Sequence, residues 1–358
     1  MTEPPREWLF EQMSEFCERT AQVTATCVRR FAIGGRSIEF HFVGEMPAPL
    51  LTRAFAHLED AGTAPPDLTV SLFDGASAGI APPLLLKAYL SAVAYQWQEF
   101  LDSRGTLLHF HAEPRLAVYH PGADVLSLLD SEKRSALYFR RTGSSLPYYE
   151  VASPLRTMLH GWFRSLGMQF VHAAALGTAG GGVLLAGKGG SGKSTSALAC
   201  LGSGLQYAGD DYCLVELGAA PRVHSLYNTC KLIGDGDLQR FPGLAERVWN
   251  TRRTGDDKAT IFLREHWPEQ VSAGFPLRAI LILRVTGERA TRLRPARGMD
   301  ALAAIGPSTI AQLPASDASD LRRLKEFAGS LPAWFLEVGT DLPQIPATIQ
   351  ELLARMTK

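Results

Sequence analysis

The sequence predicts a mixed α/β protein of two domains, a smaller α+β unit over residues 1–148 and an α/β domain over residues 149–358. Three observations predict it. The chain has 358 residues, enough for two cores at roughly 150 residues per domain. Its 33 glycines and 22 prolines are too many for a helical bundle and suit a fold with many turns. A short apolar run at 183–186 leads straight into a glycine-rich stretch and then a helix-forming run. That is the strand–loop–helix order of an α/β layer.

Along the first unit, Trp8, Met13, Phe16 and Val23 stand among charges at helical spacing. At 31–44 the period changes to two: Phe31 and Ile33, then Gly34-Gly35, then Ile38, Phe40 and Phe42, a hairpin signal. Residues 50–58 read as a helix broken by Pro65-Pro66, and Leu68, Val70 and Leu72 as a strand. A helix over 84–101 and strands within 106–121 and 135–141 complete the unit. The second unit begins with a helix capped at Ser153-Pro154 and running to Phe163. A buried strand at 168–176, a glycine-rich hairpin at 177–182 and the strand at 183–186 follow.

Composition removes several classes of function. With 36 basic and 36 acidic side chains the net charge is zero, so nothing electrostatic draws the chain to nucleic acid or an anionic membrane. An apolar fraction of 46% excludes disorder over most of the length. The cysteines (Cys17, Cys27, Cys200, Cys213, Cys230) are odd in number and form no CxxC pair, which points to a reducing compartment. Charges at Glu3, Arg6, Glu11 and Glu15 speak against a signal peptide. The apolar stretches at 84–95 and 279–285 fall short of a membrane span or carry a charge. The expectation is a soluble, cytoplasmic protein.

The chemistry lies in Gly187-Lys188-Gly189-Gly190-Ser191-Gly192-Lys193-Ser194-Thr195, a full match to the Walker A pattern GxxxxGK[ST]. Glycines let successive backbone N–H groups turn inward on phosphate oxygens. Lys193 is placed to reach the β- and γ-phosphates, and the Ser194 hydroxyl to ligate Mg²⁺. Most P-loop ATPases and GTPases add a carboxylate at the end of a long apolar strand. Here the best such strand, 279–283, ends in Arg284-Val285. An acidic pair comes much earlier, at Gly209-Asp210-Asp211, after room for one helix of about a dozen residues and a short returning strand. Two carboxylates beside Mg·ATP can divide the work, one holding the metal and one accepting a proton from an attacking hydroxyl.

Val171-His172-Ala173-Ala174, the hairpin, the Walker loop and the early Asp-Asp together resemble the catalytic domain of HPr kinase/phosphorylase. That domain is related to the nucleotide-binding part of ATP-dependent phosphoenolpyruvate carboxykinase. The chain is most similar to HPr-kinase-related proteins, a group that includes kinases of lasso-peptide precursors. The resemblance is strong over about residues 149–217 and diffuse beyond. It implies an atypical P-loop kinase fold with a mixed sheet, and ATP-dependent phosphorylation of a hydroxyl, commonly serine. By position it implies that 187–194 hold the phosphates and Mg²⁺, with Thr195 closing the loop. Asp210 and Asp211 become the metal- and base-type carboxylates, in an order left open, with Ser194 and Asp210 named for the metal, and His172 comes near the transferred phosphate. The chain has nothing like that family's Glu-x-Arg-Gly-Leu-Gly signature, which leaves HPr itself and phosphorolysis open.

Weaker candidates are Arg253 and Lys258 in the charged stretch 252–258, Arg278 before the 279–283 strand, and His109 with His111 on one predicted strand face. For all five a surface or packing role is the expectation, and no third metal ligand is in sight for the histidines. The sequence thus predicts an ATP- and Mg²⁺-dependent kinase acting on a serine of a peptide or small protein. A small-molecule hydroxyl is the second choice, and a P-loop ATPase or ATP sensor without an acceptor is the alternative class. The first domain would serve substrate recognition or dimer contacts, leaving a homo-oligomer open.

Overall fold

Alternating apolar residues build the first unit's sheet. The computed structural model describes residues 4–24, 26–77, 82–141, 145–232, 238–241, 243–253 and 257–356. By packing, the chain divides into two units, the first made of Met1–Thr52, Glu59–Leu166 and Leu313–Ala315. Its six strands are β1 (Thr26–Ile33), β2 (Arg36–Val43), β3 (Leu68–Asp74), β4 (Arg115–His120), β5 (Val125–Asp130) and β6 (Ser135–Arg140), in the order β1-β2-β3-β6-β5-β4. The predicted hairpin is β1–β2. Gly34 and Gly35 both take positive φ (57° and 72°), the backbone a two-residue turn demands. Helices α1 (Trp8–Val23) and α3 (Leu84–Tyr95) bury Leu9, Met13, Phe16, Leu86 and Leu90 in one core with Val43, Phe73, Leu128 and Phe139 of the sheet. The expected helix over 84–101 breaks at Gln96 and resumes as α4 (Trp97–Phe100). Two short helices, α2 (Ala48–Thr52) and α5 (Tyr148–Ala152), and α6 (Arg156–Ser165) complete the unit.

Three parts of the chain fall on the other side of the expected boundary at 148/149: residues 149–166 and 313–315 pack with the first unit, and 53–58 with the second. Helix α6 stays with the first unit because it lies directly on β4 and β5. A Cβ at Gly161 would stand 2.5 Å from Leu116 Cδ2 and 3.0 Å from Leu129 Cδ2. Conversely, Arg53–Leu58, a 3-10 turn, belongs to the second unit, with Gly167–Gln312 and Ser316–Lys358. Asn228 Nδ2 donates to the carbonyls of Arg53 and Ala54, both at 2.9 Å, and Arg53 pairs with Glu265.

The second unit's large sheet contains β7 (Gln169–Val171), β8 (Ala174–Thr178), β9 (Gly181–Ala186), β10 (Gln206–Gly209), β11 (Cys213–Glu216) and β12 (Arg222–His224). A separate ribbon pairs β13 (Thr229–Leu232) with β14 (Ala259–Phe262). The sheet is completed by β15 (Gly274–Val285), β16 (Arg292–Ala296) and β17 (Ala333–Val338). Strand β15 is its hub, parallel to β9 and β17 through its second half and antiparallel to β12 through its first. Both faces are covered. Val183, Leu185, Leu281 and Leu336 pack with α7 (Lys193–Ala199) and α11 (Gln344–Met356). Leu184, Ile280, Ile282 and Phe335 pack with α9 (Gly298–Gln312) and α10 (Ala318–Ser330). A one-turn helix, α8 (Leu263–His266), follows β14. Two-sided burial is why these strands read as unbroken apolar runs.

The strand expected over 168–176 is two strands, β7 and β8, interrupted at His172-Ala173. The segment opposite is interrupted as well, at Asp210, Asp211 and Tyr212 between β10 and β11, just after a bulge at Gly209. Cys213 Sγ fills part of the gap by donating to the Ala173 carbonyl at 3.3 Å, and the His172 N–H donates to Thr309 Oγ1 at 3.0 Å. A bulge re-aims side chains where a ladder would hold them flat. Here it releases His172, Asp210 and Asp211 from sheet positions.

Two half-buried histidines set an acid limit on stability. Burial, helped by Arg264, lowers His57 to about 3, and burial, helped by Arg156, lowers His120 to about 4. Their ring nitrogens share hydrogen bonds with the hydroxyls of Ser225 (2.7 Å) and Thr157 (2.9 Å). In the unfolded chain both protonate near pH 6.5, so below that value the unfolded state binds more protons and folding stability falls. Melting measured from about pH 7.5 down to about pH 4 is expected to lose stability progressively from about pH 6.5. A flat profile across that interval contradicts both assignments.

Candidate functional site

Parallel pairing collects the site at one end of the second unit's sheet. The loop that follows β9 leaves the sheet beside the carboxyl ends of β15 and β17, where Ala186 aligns with Ile282 and Val285 with Val338. Strand β10 lies two strands from β9 through antiparallel β8, so it runs parallel to β9 and ends on the same side. Carboxyl ends of parallel strands are where α/β sheets bind ligands. A cavity of about 640 Å³ opens there. Its walls include Gly189, Gly190, Gly192, Lys193, Ser194 and Thr195 of the loop, together with His172, Asp210 and Asp211.

The loop has the backbone its glycines imply. Gly190 and Gly192 take φ of 77° and 88°, and a Cβ at Gly187 would stand 2.3 Å from Ser191 Oγ. Gly187, Lys188 and Ser191 are not among the cavity's lining residues. Instead Gly187 and Lys188 lend their carbonyls to Lys193 Nζ, at 2.7 and 3.3 Å. Burial lowers the Lys193 pKa, against the pull of Asp210 and Asp211. The helix α7 is seven residues rather than about a dozen, and Gly202 and Gly204 turn the chain at positive φ soon after it.

The two aspartates occupy different environments. Asp210 is 3% exposed, and its Oδ2 accepts from Cys230 Sγ (3.2 Å) and the Lys231 N–H (3.3 Å). Its Oδ1 is buried without a hydrogen-bond partner. Burial raises the Asp210 carboxyl above its usual value, opposed by Cys230, the Lys231 amide and the Ser194 hydroxyl. Asp211 stands between two partners, with Oδ2 2.5 Å from Lys231 Nζ and Oδ1 3.3 Å from His172 Nε2. Although burial pushes it up, Lys231 and His172 hold the Asp211 carboxyl well below the ordinary range. His172 stacks on Tyr212, with ring centroids 5.4 Å apart, and Tyr212 Oη donates to Gln312 Oε1 at 2.5 Å. Thr309 and Gln312 both lie on α9, which therefore positions the histidine.

Comparison with known proteins adds little. No family model matches the chain, and no curated protein matches it. Among solved structures, the HPr(Ser) kinase/phosphatase from Coxiella burnetii is similar at 14% identity, over 53% of this chain and 99% of that one. The TM-score is 0.32, too low to carry an argument about fold or function. The chemistry of the site therefore rests on its own residues.

Those residues fit a nucleotide phosphate with a magnesium ion. Ser194 and the free oxygen of Asp210 are hard oxygen donors, the kind magnesium takes. Among the described residues no group of three or more His, Cys, Asp or Glu side chains is assembled for a metal. Two protein donors are what Mg²⁺ uses when phosphates and water complete its shell. Lys193, Lys231, Arg240 and Lys258 all line the cavity.

Sequence reasoning missed Lys231, Arg240, Val285 and the strip Val338, Gly339, Thr340 and Leu342. The sequence carried no mark of Lys231, since Thr229-Cys230-Lys231-Leu232 is no apolar run and the burial of the lysine follows from its pairing in the β13–β14 ribbon. Of the weaker candidates, Lys258 lines the cavity and Arg253 is not among its lining residues. Thr254, Gly255 and Asp256 of the same stretch lie outside the described residues. Arg278 donates to the Gly180 carbonyl (3.0 Å) at the opposite end of β9 from the loop. His109 sits in a turn and His111 just beyond it, neither on a strand, bonded to the carbonyls of Pro4 (2.6 Å) and Arg115 (3.1 Å). All five cysteines are free, and no helix among the described residues is long and apolar enough to cross a membrane.

Gly339 is the closely approached glycine of the missed strip. A Cβ there would stand 2.4 Å from the Arg289 carbonyl oxygen and 2.6 Å from Ala290 C, backbone atoms that cannot swing aside. Gly339→Ala is expected to displace the strip and destabilise the fold by about 1–3 kcal/mol, read in denaturant melts. An unchanged midpoint contradicts that packing.

Proposed function

We propose that this chain is an ATP-dependent kinase that transfers the γ-phosphoryl group to a hydroxyl, a serine of a peptide or small protein. The observation that supports it best is Asp211, clamped by Lys231 and His172, on the same cavity as the glycine-rich loop. In this reading the amides of Gly189, Gly190 and 192–195, with the Lys193 ammonium, hold the β- and γ-phosphates. Ser194 and Asp210 hold the metal, which when bound neutralises charge on those phosphates. Asp211 accepts the hydrogen bond of the acceptor hydroxyl and thereby aims its oxygen at the γ-phosphorus.

As the new P–O bond forms and the bond to the β–γ bridging oxygen breaks, the hydroxyl proton passes to Asp211 and ADP leaves. A strongly held carboxylate is a weak base, yet it suffices here. In a loose transition state the proton moves late, once bonding to phosphorus has made the hydroxyl acidic. His172 and Lys231 fix the carboxylate in the meantime. Lys258 and Arg240 add positive charge to the wall.

The test is incubation of the protein with Mg²⁺, γ-labelled ATP, serine peptides and a cell extract, followed by intact-mass analysis. A labelled peptide or protein, absent when Lys193→Ala replaces the wild type, supports the reading. A labelled small molecule would move the acceptor to that class. Free phosphate alone would replace the kinase with an ATPase.

A further inference from the structure

The residue that connects the two carboxylates is neither in the loop nor in the acidic pair. We propose that Lys231 is a positioning residue of the transfer step, its ammonium clamping Asp211 while its backbone amide holds Asp210. The inference rests on the kinase reading and deepens it, because it names what sets the geometry of both carboxylates.

Strand β13 is buried at all four positions, and the Lys231 side chain is 8% exposed. A lysine is placed so deep only against a compensating charge, since removing an ammonium from water costs several kcal/mol. The compensation is Asp211 Oδ2 at 2.5 Å. The main chain adds a second tie. Opposite Lys231 in the ribbon stands Thr260, whose N–H donates to Asn250 Oδ1 and whose carbonyl accepts from Trp249, both at 2.8 Å. Lys231 and Thr260 are therefore a pair that exchanges no ladder hydrogen bonds, and the Lys231 N–H is spare. It goes to Asp210 Oδ2, on the same oxygen as the Cys230 thiol.

One strand thus holds both acids from one side, while His172 holds Asp211 from the other. The arrangement leaves Asp210 Oδ1 without a partner. Lys193 has a different task, since its ammonium lies on the Gly187 and Lys188 carbonyls within its own loop. The two lysines are not substitutes for each other.

A purely structural Lys231 would affect folding and leave the chemistry of folded molecules alone. The experiment compares wild type, Lys231→Met, Asp211→Asn and the double variant, each first checked for thermal stabilisation by Mg·ATP. Lys231→Met is expected to lose about 10²-fold in kcat, as a misplaced catalytic group does, with KM for ATP within a few-fold of wild type. Lys231→Arg is expected to recover part of kcat. The double variant is expected to be no slower than Asp211→Asn alone, because the lysine acts through that carboxylate.

A kcat for Lys231→Met within threefold of wild type overturns the inference, and so does a double variant whose losses multiply. If methionine prevents folding, Lys231→Gln, which keeps an N–H donor without the charge, is read by the same criteria. Wild type that transfers no phosphate fails the kinase reading itself, and does so before any variant is compared.

Discussion

Lys193→Ala is expected to abolish phosphoryl transfer and to remove the thermal stabilisation given by Mg·ATP, with the unliganded fold retained. The ammonium makes two contacts, to the carbonyls of Gly187 and Lys188, within one turn of chain. Lys193 itself lines the cavity, so water entering the space it vacates can take up those carbonyls and the fold loses little. The electrostatics of binding change far more. Lys231 is already committed to Asp211, so without Lys193 only Arg240 and Lys258 remain to offset the charge of Asp210 against incoming phosphates. Loss of a single preorganised donor to developing charge costs about 10²–10³-fold, and here the ground-state phosphates lose it as well. Wild type at a hundred times its dissociation constant for ATP would gain about 2.7 kcal/mol from ligand, and the variant should gain almost none. Melting curves with and without Mg·ATP, beside a labelled-transfer assay, read both effects. Transfer within tenfold of wild type would mean that the glycine-rich loop is not the phosphate site.

The parts of this site that were legible in the sequence are those that local chemistry determines. Residues 187–195 are contiguous, and the positive φ of Gly190 and Gly192 needs no tertiary contact to be anticipated. The return of Asp210 and Asp211 to the loop followed from chain length and the direction a short strand must take after one helix. Gly34-Gly35 was legible for the same local reason. Lys231, Val285 and the 338–342 strip were not, because they reach the cavity through pairings of β15 with β9 and β17 and through a separate ribbon. Register between distant strands leaves no mark at the residues it brings together.

The break at His172-Ala173 was hidden for a related reason. Apolar composition reports burial, and it says nothing of a ladder that opens opposite a bulge at Gly209. Arg53–Leu58 was hidden by its place in the chain. It lies between segments of the first unit, yet its backbone oxygens are bound by Asn228 of the second.

Asp211→Asn is the variant that separates binding from chemistry. The amide keeps the size of the carboxylate, so the side chain still fits between Lys231 and His172. It loses the charge that draws the Lys231 ammonium, and with it the capacity to take a proton. In the unliganded protein Lys231 is then a buried ammonium facing a neutral group, so the variant is expected to melt below wild type. Removing one negative charge beside the phosphates favours nucleotide, so Mg·ATP is expected to bind at least as tightly as to wild type. The thermal shift on adding it should therefore be equal or larger. Transfer is expected to fall by about 10³-fold, within the span a general base contributes. Two readouts must then move in opposite directions, a combination that simple misfolding cannot produce, because a misfolded chain loses binding and transfer together. Full transfer by Asp211→Asn would remove Asp211 from the mechanism and return the proton to Asp210 or to solvent.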